Sequence, residues 1–294
     1  MLLVTFSEGG SSRIGVLDPA RREVVDLSKQ SALPQDMRAF IALLDAGVDA
    51  ARHALASEAA RLPLADVKLL APLPRPARNI VCVGKNYREH AREVQATAIT
   101  GADKDGVPEV PVFFTKWTSS VIGPEEPIPS HLDPTRSTDY EGELAVIVGR
   151  SGRGIARADA MRHVYGYTII NDVTARKLQK LHNQWFLGKS VDGYCPMGPA
   201  IVTADDISDV GKLRVQTRVN GELRQDAPVS DLVFDIPTLI ETLSRTMTLE
   251  PGDIISTGTP AGVGIGFKPP KFLQAVDVVA VTIDPIGTLQ NPVA

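Results

Sequence analysis

The chain has 294 residues and a formal net charge of −4, long enough to bury a substantial core in one large domain with a smaller companion. Its apolar and charged fractions are those of an ordinary globular protein rather than a disordered one. With so slight a charge and no run of like charges, there is no nucleic-acid footprint, and small molecules are the expected partners.

The opening stretch MLLVTFSEGGSSRIG lacks a basic region followed by a long apolar one, and no segment approaches the roughly 18 apolar residues of a membrane span. Export and membrane insertion are therefore not expected. Residues 2–6, 13–17 and 23–27 read as short strands around the turn-formers SEGGSS and DPARR. Helical spacing over 36–61 comes in two pieces broken near Gly47. The three prolines of APLPRPA, residues 71–77, cannot continue a helix or a central strand. A boundary is expected there, between a small α+β domain over 1–71 and a catalytic domain over 72–294.

Beyond the prolines, the strand-like runs NIVCVG, PVFFTK, GELAVIVG, YGYTIIND, LRVQTRVN, DIISTG and VVAVTID recur, with an Asn220-Gly221 hairpin signal. Helical patterns lie near 158–163, 174–183 and 235–246. Because strands and helices do not alternate regularly, a β-rich α+β fold with a mixed or rolled sheet is favoured over a doubly wound sheet or a (β/α)₈ barrel. The polar segment 95–110, QATAITGADKDGVPEV, suits a long surface loop, either a lid or a plain connection. Cys82 and Cys195 lie far apart and outside any Cys-x-x-Cys spacing, which argues against a disulfide framework or a zinc site and fits a reducing cytosol.

In DYEGELAVIVG the apolar run after Glu143 marks a strand, and strand alternation puts Glu141 and Glu143 on the same face. Asp172 closes the strand YGYTIIND, so three carboxylates meet if the two strands are neighbours. Such a cluster repels itself unless a cation neutralises it. An all-oxygen set with few protein ligands suits Mg²⁺ first, with Mn²⁺ or Ca²⁺ as alternatives. The same residues also have an ordinary reading: two glutamates on the wet face of an edge strand, and Asp172 capping the next helix.

GKNYREHAREV places His90 and Glu93 three apart, which on a helix makes them neighbours, and a carboxylate that orients an imidazole makes a general base. Alternatively Arg88, Glu89, Arg92 and Glu93 form ordinary surface ion pairs. His53, His131, His163 and His182 show no partner pattern. GKS at 188–190 and TGTPAGVGIG at 257–266 are not nucleotide loops. Asn183 stands where a phosphate loop needs its first glycine, and the second stretch lacks the dinucleotide register. Thr257, Gly258 and Thr259 read instead as a tight turn, which either offers hydroxyls and N–H groups to a substrate carboxylate or merely joins two strands.

Taken in order, GKNYREHAREV, PVFFTK, DYEGELAVIVG, NDVTAR, GKSVDGYCPMGP, VNGELRQ and LEPGDIISTGTPAGVG resemble the fumarylacetoacetate hydrolase family over about residues 78–285. The resemblance implies a mixed β-sandwich roll as catalytic domain behind a small leading domain, in a homodimer. It implies Mg²⁺ held by residues matching Glu141, Glu143 and Asp172, with Lys189 offsetting the carboxylate charge and helping to hold an oxyanion. It further implies an acid–base pair at His90 and Glu93, and substrate contacts at Lys116, Gln179 and Thr259, with Arg88 a weaker candidate for a distal carboxylate. Family members that only isomerise often lack the His–Glu pair. The implied reaction is therefore hydrolysis of a carbon–carbon bond in an acylpyruvate-type 2-oxo (diketo) acid in the cytoplasm. Oxaloacetate-type decarboxylation and hydroxymuconate-type isomerisation or hydration on the same site are the alternatives. From a different class, so is a catalytically silent protein that keeps the metal as a staple. WTSSVIGPEEPI and QWFLGKSVDGYC depart from relatives and leave the substrate's far end unread.

Overall fold

The structure is a computed structural model that describes residues 1–30, 32–57, 60–95 and 106–294. Most of the 95–110 segment, read as a lid or a plain connection, lies outside the described residues.

The chain begins with β1 (Leu2–Glu8), β2 (Ser11–Asp18), β3 (Glu23–Asp26), α1 (Met37–Ile41), α2 (Asp45–Ala56), β4 (Arg61–Pro63) and β5 (Lys68–Leu70). The helix break expected at Gly47 falls earlier. Leu44, with a left-handed φ of 51°, caps α2, while Gly47 lies inside α2, where a Cβ would sit 3.1 Å from the Phe40 carbonyl oxygen. Here the glycine serves close packing of α2 on α1 rather than chain reversal.

The elements that follow are β6 (Ile80–Gly84), α3 (Arg88–Gln95), β7 (Val112–Lys116), β8 (Val121–Ile122), β9 (Thr138–Asp139), β10 (Gly142–Val148), β11 (Val164–Asn171) and β12 (Thr174–Ala175). Then come α4 (Arg176–Leu181), α5 (Phe186–Lys189), β13 (Cys195–Thr203), β14 (Arg214–Val219), β15 (Glu222–Pro228), α6 (Ile236–Ser244), β16 (Ile254–Ser256), β17 (Val278–Ile283) and β18 (Gly287–Pro292). Asn220 and Gly221, both at positive φ, make the two-residue turn between β14 and β15, as their sequence signals.

The main sheet runs β4-β3-β2-β1-β13-β11-β10-β16-β6-β7, with β5 on β1 and β8 on β13. Its pairings are antiparallel except β16–β6 and β13–β8, so the sheet is mixed. A second, antiparallel sheet runs β15-β14-β17-β18. β10 is buried along its whole length and divides its side chains between two cores. Leu144, Val146 and Val148 join the second sheet's Val215, Val219, Val279 and Val281; Ala145 and Ile147 join Phe40 and Ile41 from the leading segment. A strand covered on both faces must read as a near-continuous apolar run, which is why GELAVIVG looks as it does. The leading segment is continuous with this sheet, since Leu2 pairs with Val202 across β1 and β13.

Strand register sets the site. Gly142 lies opposite Asn171, and Ala145 opposite Ser256. The start of β10, the end of β11 and the end of β16 therefore meet at one edge of the sheet. Among the described residues, no helix is long and apolar enough to cross a membrane.

Candidate metal centre and its cavity

The chain ends at this edge are locked to each other. The Asp172 N–H donates to the Glu141 carbonyl at 2.8 Å, and the Glu141 N–H donates to Asn171 Oδ1 at 3.0 Å. One oxygen from each of Glu141, Glu143 and Asp172 lies within 4.8 Å of the others. All three residues are buried, at 4%, 1% and 0% exposure, which removes the wet-strand reading. Asp172 does not cap the next helix either: α4 starts after Ala175, with no side-chain cap.

Cations surround the carboxylates. Lys189 Nζ donates to Glu141 Oε2 and to Asp172 Oδ2, both at 2.6 Å. Lys116 Nζ holds the other Asp172 oxygen at 2.6 Å and the Val173 carbonyl at 2.9 Å. Arg176 bridges Asp139 Oδ2 at 2.8 Å and Glu141 Oε1 at 2.5 Å. Asp139 in turn accepts from the Gly264 and Ile265 N–H groups at 2.7 and 3.0 Å. Glu143 has neutral donors, the Ser256 hydroxyl at 2.6 Å and the Gly258 N–H at 2.9 Å.

These surroundings push the two glutamates in opposite directions. Burial alone would raise the Glu141 carboxyl, but the Lys189 and Arg176 charges outweigh it and hold the group well below the usual carboxylate range. At Glu143 burial raises the carboxyl, and the charges of Asp172 and Glu141 push it further up. Four carboxylates (Asp139, Glu141, Glu143, Asp172) thus face three cations (Lys116, Arg176, Lys189). A dication turns that deficit of one positive charge into a surplus of one, which suits an anionic substrate. Three buried carboxylates, one of them without a cation of its own, form a donor set that fits a hard divalent ion.

Beside Glu141 and Glu143 lies a cavity, partly open to solvent, whose wall includes Lys85, His90, Gln179, Trp185, Lys189 and Thr259. His90, 6% exposed on α3, has Nδ1 3.3 Å from Glu93 Oε2. The Gly262 N–H lies 3.1 and 3.2 Å from the two Glu93 oxygens and fixes that carboxylate. Two buried polar atoms of wall residues, Gln179 Oε1 and Arg176 Nη2, have no hydrogen-bond partner among the described residues.

Other residues singled out in the sequence have different surroundings. Lys116 is fully buried, holds Asp172, and is not part of the cavity wall. Arg88 is exposed and lines a separate depression with Asp226 and Asp231. The Thr257 hydroxyl donates to the Leu144 carbonyl at 2.8 Å, and the Thr259 hydroxyl to the Gly142 carbonyl at 3.0 Å. Together with the Gly258 N–H on Glu143, these two hydroxyls position β10 and its carboxylate, while Thr259 also lines the cavity. Sequence reasoning missed Asp139, Arg176, Lys85 and Trp185. The first two stand in the DYEGE and NDVTAR blocks, where a charged residue beside each suspected ligand was the available signal.

Residues 79–294 match the C-terminal family of fumarylacetoacetate (FAA) hydrolase. The chain is 56% identical over 230 residues to oxaloacetate tautomerase YisK of Bacillus subtilis (strain 168), covering 78% of this chain and 74% of that protein. It is 41% identical over 298 residues to the mitochondrial oxaloacetate tautomerase fahd2 of Xenopus laevis, covering 100% and 90%. Maleylpyruvate hydrolase from Sphingobium sp. SYK-6, solved in complex with manganese (II) ion and pyruvate, matches with a TM-score of 0.80 at 33% identity, over 100% and 99% of the two chains. With the family match covering most of its length, the chain belongs to the fumarylacetoacetate hydrolase family.

Proposed function

We propose that this protein is a divalent-metal-dependent tautomerase that interconverts the keto and enol forms of an oxaloacetate-class 2-oxo dicarboxylic acid. The observation that carries the reading is the placement of His90, the one imidazole in the cavity wall among the described residues, beside a triad suited to a dication. Two relatives named oxaloacetate tautomerase, at 56% and 41% identity, support enol chemistry over the hydrolysis that the motifs alone favour.

A cation held by Glu141, Glu143 and Asp172 supplies Lewis acidity toward the oxygens of a 2-oxo acid. His90 moves the proton. Glu93 occupies Nδ1, which leaves Nε2 to take the proton from C3 and deliver that same proton to the C2 oxygen, and to carry it back in the reverse direction. Lys189 stays an ammonium in spite of its burial, because Asp172 and Glu141 hold its proton, so it donates hydrogen bonds to a developing oxyanion rather than protons. The unpartnered Gln179 Oε1 accepts the enol hydroxyl.

The test follows the ultraviolet absorbance of enol-oxaloacetate in Mn²⁺-loaded protein, with pyruvate release measured in parallel. Faster approach to the keto–enol equilibrium without added pyruvate is expected. Chelation or Glu143→Ala abolishes it, and His90→Ala slows it by about 10²–10⁴-fold. Accelerated pyruvate release in place of equilibration would replace this reading with decarboxylation. A second reading, hydrolysis of a diketo acid, rests on the His90–Glu93 pair, which also suits activation of water. Cleavage of an acylpyruvate without action on oxaloacetate would establish it.

A further inference from the structure

A dicarboxylic substrate brings two anionic ends to this cavity. The triad end already has two cations, Lys189 and Arg176, both bonded to Glu141. Among the described wall residues the third cation is Lys85, which comes from another element, the turn between β6 and α3. Its backbone sits in the left-handed region at φ 55°, which is costly for a side chain with a Cβ.

The neighbouring residue holds that conformation in place. Asn86, fully buried, donates from Nδ2 to the Thr257 carbonyl at 2.8 Å and to the Phe234 carbonyl at 3.0 Å. Its Oδ1 accepts from the Phe234 N–H at 2.8 Å, and its own carbonyl from the Val233 N–H at 2.7 Å. On the other side, Gly84 lies so close to the Trp185 ring that a Cβ there would be 2.4 Å from it. The turn is thus clamped between the residue that follows β16, the segment before α6 and the cavity's own tryptophan. A strained lysine kept at a site wall by this many contacts points to recognition rather than to a chance loop conformation.

We propose that Lys85 is the specificity residue that selects a dicarboxylic over a monocarboxylic acid, pairing its ammonium with the carboxylate remote from the triad. This rests on the metal-dependent 2-oxo acid reading above, and its test uses binding, so the two fail separately. Calorimetric titration of Mn²⁺-loaded protein with malate and with lactate compares two unreactive 2-hydroxy acids that differ by the second carboxylate. Wild type binds malate more tightly than lactate. Lys85→Met, and Lys85→Gly, which adopts the left-handed backbone without strain, weaken malate roughly ten- to hundredfold and leave lactate within about twofold. Lys85→Arg retains the preference. An unchanged malate-to-lactate ratio in both truncations, or an equal loss for both ligands, overturns the proposal. Lys85-dependent malate binding without oxaloacetate turnover sustains it while removing the tautomerase reading.

Discussion

Two lysines converge on the Asp172 carboxylate, Lys116 on one oxygen and Lys189 on the other, and all three residues are buried. Breaking one member of a buried pair leaves an uncompensated charge, so Lys116→Met is expected to cost about 3–5 kcal/mol in metal-free protein, measured by urea denaturation. Saturating Mn²⁺ should shrink the deficit relative to wild type, because a dication at Asp172 replaces the missing ammonium. A deficit of the same size with and without Mn²⁺ would take Asp172 out of the metal set. Sequence made part of this site legible. Alternation alone puts Glu141 and Glu143 together, and helical spacing alone puts His90 beside Glu93. It did not make Lys116 legible: a lysine closing PVFFTK reads as a substrate contact, and only the fold buries it behind Asp172. Arg176, Asp139 and Lys85 went unread for a related reason, since their meaning depends on which strands are neighbours.

The loop from Thr257 to Gly266 shows why its sequence is rich in glycine although it carries no nucleotide-binding motif. At Gly262, with φ 105°, a Cβ would lie 1.8 Å from the Arg224 carbonyl oxygen. At Gly266 it would lie 2.1 Å from Glu93 Oε1. The first neighbour is backbone and cannot give way; the second is the tip of a flexible side chain and can. Gly262→Ala is therefore expected to lose roughly 2–5 kcal/mol from strain and overpacking. Gly266→Ala should cost about 1 kcal/mol or less yet displace Glu93 from His90, lowering kcat while Mn²⁺ affinity holds. Thermal denaturation and single-turnover rates on the two variants separate these effects. If Gly266→Ala kept full activity, Glu93 would have no part in orienting the base. The loop packs against α3 and β15 and holds Glu93, Asp139 and Glu143 in place.

At the scale of the molecule, the three prolines of 71–77 do not break the sheet, which holds both β5 before them and β6 after them. The Thr5 hydroxyl donates to the Pro72 carbonyl at 2.7 Å, β1 pairs with β13, and one apolar core takes Leu3, Phe40 and Ile41 together with Ile147, Tyr165 and Ile201. Residues 1–71 thus cover an edge and a face that the rest of the chain needs covered. Calorimetry is expected to show a single transition whose calorimetric and van't Hoff enthalpies agree, and a 72–294 fragment should aggregate through the uncovered β13 edge. Metal sharpens the test because Glu141 and Glu143, which would hold it, lie at the start of β10 on the same face as Ala145 and Ile147, the residues that pack on the leading segment. Mn²⁺ at about a hundred times its Kd stabilises the bound fold by roughly 2.7 kcal/mol. If folding is one cooperative event, the whole transition moves up by that amount, including the part that reports on α1 and α2. A low-temperature component indifferent to Mn²⁺ would instead show that the leading segment unfolds on its own, and that its strands add to the sheet without supporting the site.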